Sequence, residues 1–348
     1  MLTTTIGAYP KPTDVPIRDW FQKEGGPDTP EPTAGYAETV RQYGARLEAI
    51  LDRATNLVVR EQVEAGIDIP TDGEIRRENF THYHCRHLRG IDFDALAERQ
   101  VRGDHQRLLP TITGPIEAGP SFLVRDWQVA QGATKRPVKI TVPGPLTISD
   151  NVADEYYRED ARARGVALAD ALNVEIRRLA EGGCAVIQID EPAFARKVGD
   201  ALTFGAEHLE RCFHRVPTTT ERVVHICCGY PDTLDAEGYP KAPNAAYFEL
   251  AGVLDEIRVD AVSLEDAHRP NDLALLERFG RKKVILGVID IARSRTEEVE
   301  EVRNRLRATL RHIDAPRLLA APDCGLGLLG RDLAREKLKV LAEAAHSL

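Results

Sequence analysis

The sequence predicts an α/β protein, folded as a single (β/α)8 barrel of the TIM-barrel class over residues 1–348. Short apolar runs rich in β-branched residues alternate with amphipathic stretches long enough for helices, a pattern that indicates a parallel sheet. Eight such runs occur, which is the number of strands that this barrel needs. No GxGxxG motif follows the first run, so the commonest sign of a doubly wound dinucleotide-binding sheet is missing from the sequence.

The eight predicted strands are all short and apolar: residues 3–6, 66–70, 138–142, 185–189, 223–226, 261–264, 284–288 and 318–321. Helices are predicted between them, beginning for example at Thr39, Ala161 and Glu297, and the spacing of Ser294 and Glu297 predicts a capping box. Two stretches break this alternation. We expect the Pro-rich residues 10–35 to form a long ordered loop after strand 1, over the barrel mouth. We expect residues 92–135 to form an irregular excursion between strands 2 and 3.

Composition and charge exclude several classes of protein. The 46 Lys and Arg residues against 55 Asp and Glu residues leave a net charge of −9, which argues against nucleic-acid and anionic membrane partners. No apolar run approaches the roughly 20 residues of a membrane span, and the N-terminus lacks the features of a signal peptide. We therefore expect a cytoplasmic protein, in which the six cysteines are thiols available as ligands or nucleophiles.

Polar residues collect where the predicted strands end. In a barrel of this class, the chemistry is built at the carboxyl ends of the strands. Nearly every predicted strand ends in an acid, a metal-type ligand or a Gly/Pro turn, and unrelated loops would not produce this coincidence. The acids and metal-type ligands are Asp72, Glu74, Asp190, Glu191, His225, Cys227, Glu265, Asp290 and Cys324.

The segment His-Ile-Cys at the end of strand 5 predicts a zinc site. Residues two apart in a strand point to the same side, so His225 and Cys227 can face the barrel axis together. Histidine nitrogen and cysteine sulfur are preferred ligands of Zn²⁺. An isolated pair of this kind is more often structural, but Cys324 and Glu265 at other strand ends supply a second thiolate and an oxygen ligand. Cys228 should point away and be structural.

Six segments of the chain resemble one known family. They read TTTIGAYPKP, TDGEIRRENF, IQIDEPAFAR, HICCG, VSLED and APDCGLG. Over nearly its whole length the chain resembles the C-terminal catalytic barrel of the cobalamin-independent methionine synthases. The full-length family also carries an N-terminal barrel that this sequence does not contain, so the resemblance is to the short, single-barrel members.

The resemblance implies a metal and an activity. The family's zinc ligands match His225, Cys227, Glu265 and Cys324 one for one. The implied reaction is zinc-dependent transfer of a methyl group to a thiol, with homocysteine as the acceptor and methionine as the product. Two thiolates and a carboxylate give Zn²⁺ an excess of negative charge, which suits an incoming thiolate better than it suits the generation of hydroxide.

The resemblance also implies residues that bind the acceptor. It places the amino and carboxylate groups of the thiol substrate near Ile6, Gly7, Ala8, Glu74 and Asp190. On chemistry alone, the two acids could also be structural hydrogen-bonding groups at strand ends.

Two positions depart from the family pattern. The family carries a histidine after strand 7 that is thought to act as an acid on the donor, and Ala292 stands there in this chain. By chain position, Asp290 and His268 are the nearest candidates to replace it. After the DEPA segment the family carries a glutamate that helps to hold the amino group. Arg196 stands at that position, and it would repel an ammonium group but attract a carboxylate, sulfonate or phosphate.

These departures leave alternatives open. One is another thiol alkyltransferase, such as an epoxide–coenzyme M type transferase, in which a cation binds the sulfonate. A zinc-dependent lyase or hydrolase is a second, although a Cys₂His-carboxylate site leaves no dedicated open position. A barrel with a purely structural zinc ion is a third. For the methyl donor, we expect methyl-folate to be poor, and methylcobalamin or a partner protein that delivers the methyl group to serve better.

Overall fold

The protein consists of a parallel sheet, a second small sheet and surrounding helices, and the computed structural model describes residues 1–23, 29–101 and 106–348. Its strands are β1 (Leu88–Gln100), β2 (Gln106–Ala118), β3 (Lys139–Pro143), β4 (Ala153–Asp154), β5 (Val186–Asp190), β6 (Glu221–Ile226), β7 (Ala261–Leu264), β8 (Lys283–Ile289) and β9 (Leu318–Pro322). Its helices are α1 (Tyr36–Tyr43), α2 (Ala45–Glu64), α3 (His82–Cys85), α4 (Leu123–Gln131), α5 (Pro145–Ser149), α6 (Ala161–Glu181), α7 (Pro192–Arg196), α8 (Val198–Asp200), α9 (Ala206–Cys212), α10 (Ala245–Glu256), α11 (Val299–Thr309) and α12 (Arg331–His346).

Six strands form a parallel sheet in the order β3-β5-β6-β7-β8-β9. Apart from the small strand β4, this order follows the chain, and helices such as α6, α10 and α11 connect successive strands. All six strands overlap predicted apolar runs, so the prediction of an α/β fold with a parallel sheet is confirmed. A parallel sheet covered by helices is buried on both faces, so most residues of its strands are apolar.

The first two predicted strands do not form regular strands, and isolated bridges take their place. Thr3 pairs with Ala320 of β9, Thr4 pairs with Ile69, and Thr71 pairs with Lys139 of β3. The two segments therefore connect β9 to β3 without regular ladders.

Side chains explain why these segments lack regular ladders. The amide of Thr3 donates to the Asp68 carboxylate at 2.9 Å, and the amide of Thr71 donates to Oε1 of Gln62 at 3.0 Å. Backbone groups that bond to side chains are not available to a neighbouring strand. Both segments nevertheless share one apolar cluster with the sheet: Ile6, Ile69, Val186, Val223, Ala261, Ile285, Leu319 and Ala321.

The excursion between predicted strands 2 and 3 is regular, so the prediction of an irregular segment is wrong. Strands β1 and β2 form a long antiparallel hairpin, β4 adds in parallel to β2, and α4 follows. In β2 the successive residues 109–112 are all buried, whereas most of β1 is partly or fully exposed, so β2 is the strand of the hairpin that packs against the rest of the protein. The polar outer face made this segment look irregular in the sequence. Residues 102–105 lie outside the described part of the chain.

The Pro-rich stretch is described except for residues 24–28, and for these five residues the predicted ordered loop lies outside the described part of the chain. Within the described part, a 3₁₀ turn spans Trp20–Gln22. The amide of Trp20 donates to the carbonyl of Glu78 at 2.7 Å, and the ring of Phe21 lies 5.5 Å from that of Tyr230. These contacts hold this part of the loop against the segments that follow predicted strands 2 and 5.

Two predicted helices differ from their expected bounds. The helix predicted from Thr39 divides at Gly44, whose φ of 52° interrupts it. The helix predicted from Glu297 begins at Val299, and no side chain caps its first turn. The capping box is wrong because the Glu297 carboxylate instead accepts hydrogen bonds from Lys337 and from the amide of Asp290. No helix in the described ranges is long and apolar enough to cross a bilayer.

Candidate metal and substrate site

Residues at the carboxyl ends of β5, β6 and β9 line one pocket, together with residues that end the first two predicted strands. His225 is the penultimate residue of β6 and Cys227 directly follows that strand, while Cys324 follows β9. Parallel strands place these ends at the same edge of the sheet. Nine residues predicted from the sequence line the pocket: Ile6, Gly7, Ala8, Glu74, Asp190, Arg196, His225, Cys227 and Cys324.

Three of the four predicted metal ligands lie together. One ligand atom from each of His225, Cys227 and Cys324 lies within 4.8 Å of the others. Nδ1 of His225 contacts the Ser263 hydroxyl at 2.9 Å, whereas its Nε2 is buried and has no hydrogen-bond partner among the described residues. A buried nitrogen without a partner costs free energy unless a ligand satisfies it. One nitrogen and two sulfurs are a donor set that fits Zn²⁺.

The two cysteines of the cluster differ in acidity. The contact with Cys324 holds the pKa of Cys227 well below its usual range. The same contact, together with burial, raises the pKa of Cys324. Cys228 packs into the apolar core, and burial raises its pKa to about 12. The contact between the two sulfurs thus favours a thiolate in this pair, and Cys228 is structural, as the strand alternation predicts.

Glu265, the fourth predicted ligand, lies next to the cluster but is bound to a lysine. Its Oε2 accepts a hydrogen bond from Nζ of Lys241 at 2.7 Å. Its Oε1 is buried without a hydrogen-bond partner in the described structure. Burial, and after it the charge of Cys227, raises the pKa of Glu265 well above its usual range. Lys241 was not predicted from the sequence, because a single lysine in a long loop has no distinguishing pattern.

Glu74 approaches the pocket from a strained backbone position. Its φ is +56°, a left-handed conformation that is uncommon for a non-glycine residue. Its Oε1 accepts hydrogen bonds from Thr141 at 2.7 Å and from Arg77 at 3.2 Å. Gly7 is required beside it, because a Cβ at that position would lie 2.6 Å from the same oxygen.

Asp190 belongs to a chain of buried polar groups. Nε2 of Gln188 donates to Asp190 Oδ1 at 2.7 Å and to the carbonyl of Ile6 at 2.8 Å. Lys139, which is fully buried, donates to Oε1 of Gln188 at 2.6 Å. Burial raises the pKa of Asp190 to about 7, and the negative charge of Glu74 adds to this effect. Two neighbouring acids with this mutual repulsion form a site suited to a cation.

Arg196 is already paired with an acid on the pocket wall. Its guanidinium lies 3.1 Å from a carboxylate oxygen of Asp150, and Lys197 contacts the other oxygen at 2.5 Å. Arg107, which also lines the pocket, lies with its guanidinium carbon 6.0 Å from the ring of Trp20. Neither Asp150 nor Arg107 was predicted from the sequence, because both lie in segments that the strand pattern does not relate to the site.

Glu191, which the sequence groups with the strand-end acids, has a structural role. Its carboxylate accepts hydrogen bonds from the amides of Leu146 and Thr147, at 3.0 Å each, and from the Thr147 hydroxyl at 2.7 Å. These bonds satisfy the first turn of α5. Its side chain is therefore not available to a substrate.

Comparison with known proteins places the chain in a family. Residues 1–347 match the family described as "Cobalamin-independent synthase, Catalytic domain". The chain belongs to this family. The resemblance drawn from its motifs is thus confirmed over almost the whole length.

Individual proteins that are similar to this chain are also named as methionine synthases. A protein of Sulfolobus acidocaldarius named methionine synthase is 31% identical over 344 residues, which cover 97% of this chain and 88% of that protein. A solved B12-independent methionine synthase from Shewanella sp. W3-18-1, in complex with selenomethionine, is 30% identical and has a TM-score of 0.84, with 99% and 96% of the two chains covered. A structure from Listeria monocytogenes, 19% identical with a TM-score of 0.73, shares the fold.

The two residues predicted to replace the synthase family's donor-side histidine contact each other, but they do not line the pocket described above. Nδ1 of His268 lies 3.3 Å from Oδ2 of Asp290. The ring of His268 lies 4.7 Å from the ring of Tyr239. The Lys241 ammonium lies 4.9 Å from the Tyr239 ring. Burial lowers the pKa of His268. Ala292 is buried and has no side-chain proton to offer.

Proposed function

We propose that this protein is a zinc-dependent methyltransferase that converts homocysteine to methionine, within a single closed (β/α)8 barrel over residues 1–348. The observation that carries the proposal is the His225–Cys227–Cys324 cluster in the same pocket as the Glu74 and Asp190 carboxylates. Family membership supports it. So does the Shewanella relative, which was solved with selenomethionine, the selenium counterpart of the proposed product.

The metal would be held by His225, Cys227 and Cys324, with Glu265 as the fourth ligand. When bound, Zn²⁺ lowers the pKa of an incoming thiol and keeps its sulfur nucleophilic. The protein contributes a buried donor set in which the pKa of Cys227 is already depressed. It also contributes the unpartnered Nε2 of His225 and Oε1 of Glu265, which are the two atoms in this set that require a further partner.

The acceptor would be held through both of its charged amino-acid groups. Glu74 and Asp190 face the pocket and would bind the ammonium group, which removes their mutual repulsion. The backbone of residues 6–8 would lie beside the carboxylate. Hydrogen bonds from Gln188 to the carbonyl of Ile6 and from Thr71 to the carbonyl of Gly7 hold this backbone in place. Homocysteine bound in this way directs its sulfur toward the cluster.

The contacts of Arg196 favour homocysteine over coenzyme M. A sulfonate would have to compete with Asp150, which already pairs with Arg196 and Lys197. The acids Glu74 and Asp190 would repel a sulfonate placed deeper in the pocket. A lyase or hydrolase that uses metal-bound water is also disfavoured, because two thiolates and a carboxylate make the metal a weak acid.

We propose a methyl donor that needs no proton from the protein. Methylcobalamin, or a partner protein that delivers an activated methyl group, meets this condition. A cytoplasmic location suits the six free cysteines, because thiols persist in a reducing compartment. We propose no nucleic-acid or membrane partner, because the net charge of −9 would oppose both.

Metal analysis of cysteine variants tests the proposal. The purified protein should contain one zinc ion per chain, and Cys227→Ser and Cys324→Ser should each lose most of it, because each removes one thiolate. Cys228→Ser is the matched control, since it changes a buried neighbouring cysteine outside the cluster. Full zinc retention in both cluster variants would contradict the site. Turnover with homocysteine, compared with coenzyme M, tests the acceptor.

A further inference from the structure

A buried cation contacts the candidate metal site. The side chains of Lys241 and Glu265 are each only 6% exposed, and Nζ lies 2.7 Å from Oε2. A buried ammonium group costs several kcal/mol of desolvation unless a charged partner compensates it. The carboxylate of Glu265 therefore offsets the cost of burying the Lys241 ammonium group beside the cluster.

The loop that carries Lys241 is anchored to the segment that directly follows β6 and carries Cys227. The amide of Ala242 donates to the carbonyl of Cys228 at 2.8 Å. At Gly229 a side chain would collide with the backbone of Pro240, since a Cβ there would lie 2.4 Å from its carbonyl oxygen. The face of the Tyr239 ring lies 4.9 Å from the Lys241 ammonium. The first two contacts fix the backbone of this loop, and the Tyr239 ring lies against the ammonium group itself.

Lys241 also determines which carboxylate oxygen of Glu265 is engaged in a hydrogen bond. The backbone of Glu265 is held by hydrogen bonds, one from its amide to the Tyr247 hydroxyl at 3.2 Å and one from Asn271 to its carbonyl at 2.6 Å. Within the described ranges the carboxylate itself is bound only at Oε2, by Lys241. Oε1 stays buried without a hydrogen-bond partner among the described residues. The lysine thus orients the carboxylate and leaves one oxygen for another ligand.

We propose that Lys241 is a positioning residue of the metal site: it holds Glu265 with Oε1 available to the metal and offsets one negative charge of the donor set. This inference rests on the proposed function, since it takes the donor set to be a zinc site. Two thiolates and a carboxylate exceed the charge of Zn²⁺ by one, and the ammonium group restores neutrality. An anionic thiolate can then enter the pocket against less repulsion.

Zinc affinity of the variants tests this role without any turnover. Apo protein is titrated with zinc in competition with a chromophoric chelator. Lys241→Met should weaken zinc binding by about 10–100-fold, the usual effect of removing a residue that orients a metal ligand. Lys241→Arg, which keeps a donor for Oε2 of Glu265, should recover most of the affinity. Lys283→Met is the matched control, since it breaks a Lys–Glu pair of 3.0 Å with Glu221 at the opposite end of the strands.

A double-mutant cycle separates positioning from a general effect on folding. If Lys241 acts through Glu265, its removal should change zinc affinity little in a Glu265→Gln background, so the two losses should not add. Lys241→Gln replaces the methionine variant if the latter does not fold. Affinity equal to wild type in Lys241→Met, or fully additive losses in the cycle, would overturn the inference. Failure of the wild-type protein to bind zinc would overturn the proposed function instead, and the inference with it.

Discussion

Nδ1 of His225 lies 2.9 Å from the hydroxyl of Ser263, its neighbour in register on β7. Pairing between β6 and β7 places the two side chains side by side in the buried interior. The contact fixes the ring of His225 and, when the hydroxyl accepts from Nδ1, leaves Nε2 as the lone-pair nitrogen that a metal needs.

Loss of the Ser263 hydroxyl should therefore weaken metal binding. We expect Ser263→Ala to lower zinc affinity by about tenfold or more, because the ring is no longer held in one orientation and tautomer. Chelator competition on the apo protein measures this change. Ser121→Ala is the control, since it removes a hydroxyl contact of 2.9 Å with Glu175 in another part of the fold. Equal affinities in the two variants would contradict the role given to Ser263.

Neutralising Asp190 should weaken acceptor binding and leave the metal in place. A hydrogen bond to a charged group contributes about 1.5–3 kcal/mol, so Asp190→Asn should raise the KM for homocysteine by about tenfold to a hundredfold. Zinc content should stay at the wild-type level. Steady-state kinetics and metal analysis on the same sample measure both quantities. Asp170→Asn, a change in an exposed ion pair with Arg211, is the control. Loss of zinc from Asp190→Asn would make Asp190 a ligand or a support of one.

A methyl group added at Gly7 should displace Glu74. The Cβ of Gly7→Ala would lie 2.6 Å from Glu74 Oε1, while Thr141 and Arg77 hold that oxygen in place. We expect Tm to fall, by the equivalent of about 1–3 kcal/mol of overpacking, and the KM for the acceptor to rise. Gly252→Ala is the matched control, since nothing lies within 4 Å of its Cβ in α10. That variant should be neutral or slightly more stable. Unchanged acceptor binding in Gly7→Ala would contradict the role of Glu74 in binding the acceptor.

The stability of the protein should depend on pH through Lys139. Burial lowers the pKa of Lys139 to about 7, whereas in the unfolded chain the value is near 10.5. The unfolded state therefore binds more protons between these values, so stability rises with pH there. The cost of the buried charge is complete below pH 7 and disappears toward pH 10.5. Relative to Lys139→Met, wild type should gain about 2 kcal/mol between pH 7 and pH 9.

Denaturant unfolding of both proteins at the two pH values measures this difference, and the titrating groups that do not interact with Lys139 cancel in the comparison. Lys339→Met, at an exposed position, should show no such dependence. A pH-independent difference between wild type and Lys139→Met would mean that Lys139 keeps its usual pKa in the fold.

The methyl donor should be one that needs no general acid. Departure of a reduced-folate nitrogen requires a proton, and a positioned acid typically contributes about 10²–10⁴-fold to such a step. Ala292 cannot supply it, and His268 and Asp290 lie outside the residues that line the pocket. We expect methylcobalamin to support homocysteine methylation at least about a hundredfold faster than methyl-folate in initial-rate assays. Rapid turnover with methyl-folate alone would refute this, and Asp290→Asn would then locate the acid.

The sequence predicted the site where strand periodicity and strand order were sufficient. His225 and Cys227 lie together at the end of β6 because residues two apart in extended backbone point to the same side. Cys324 joins them because parallel strands end at one edge. Asp190 and Glu74 follow from the same rule. The sequence failed where polar side chains replaced the backbone pairs of regular strands, as at Thr3 and Thr71, and where an outward polar face concealed the hairpin of β1 and β2.

What the sequence by itself determined is the alternation of strands and helices, the edge of the sheet where the candidate site lies and the residue types there. The tertiary structure alone decided the partners of those residues. It paired Lys241 with Glu265 and Asp150 with Arg196 as ion pairs. It also made the Glu191 carboxylate an acceptor for the amides of the first turn of α5. The physical reason is that periodicity follows from local backbone geometry, whereas a side chain in a long loop finds its partner only when distant segments pack together.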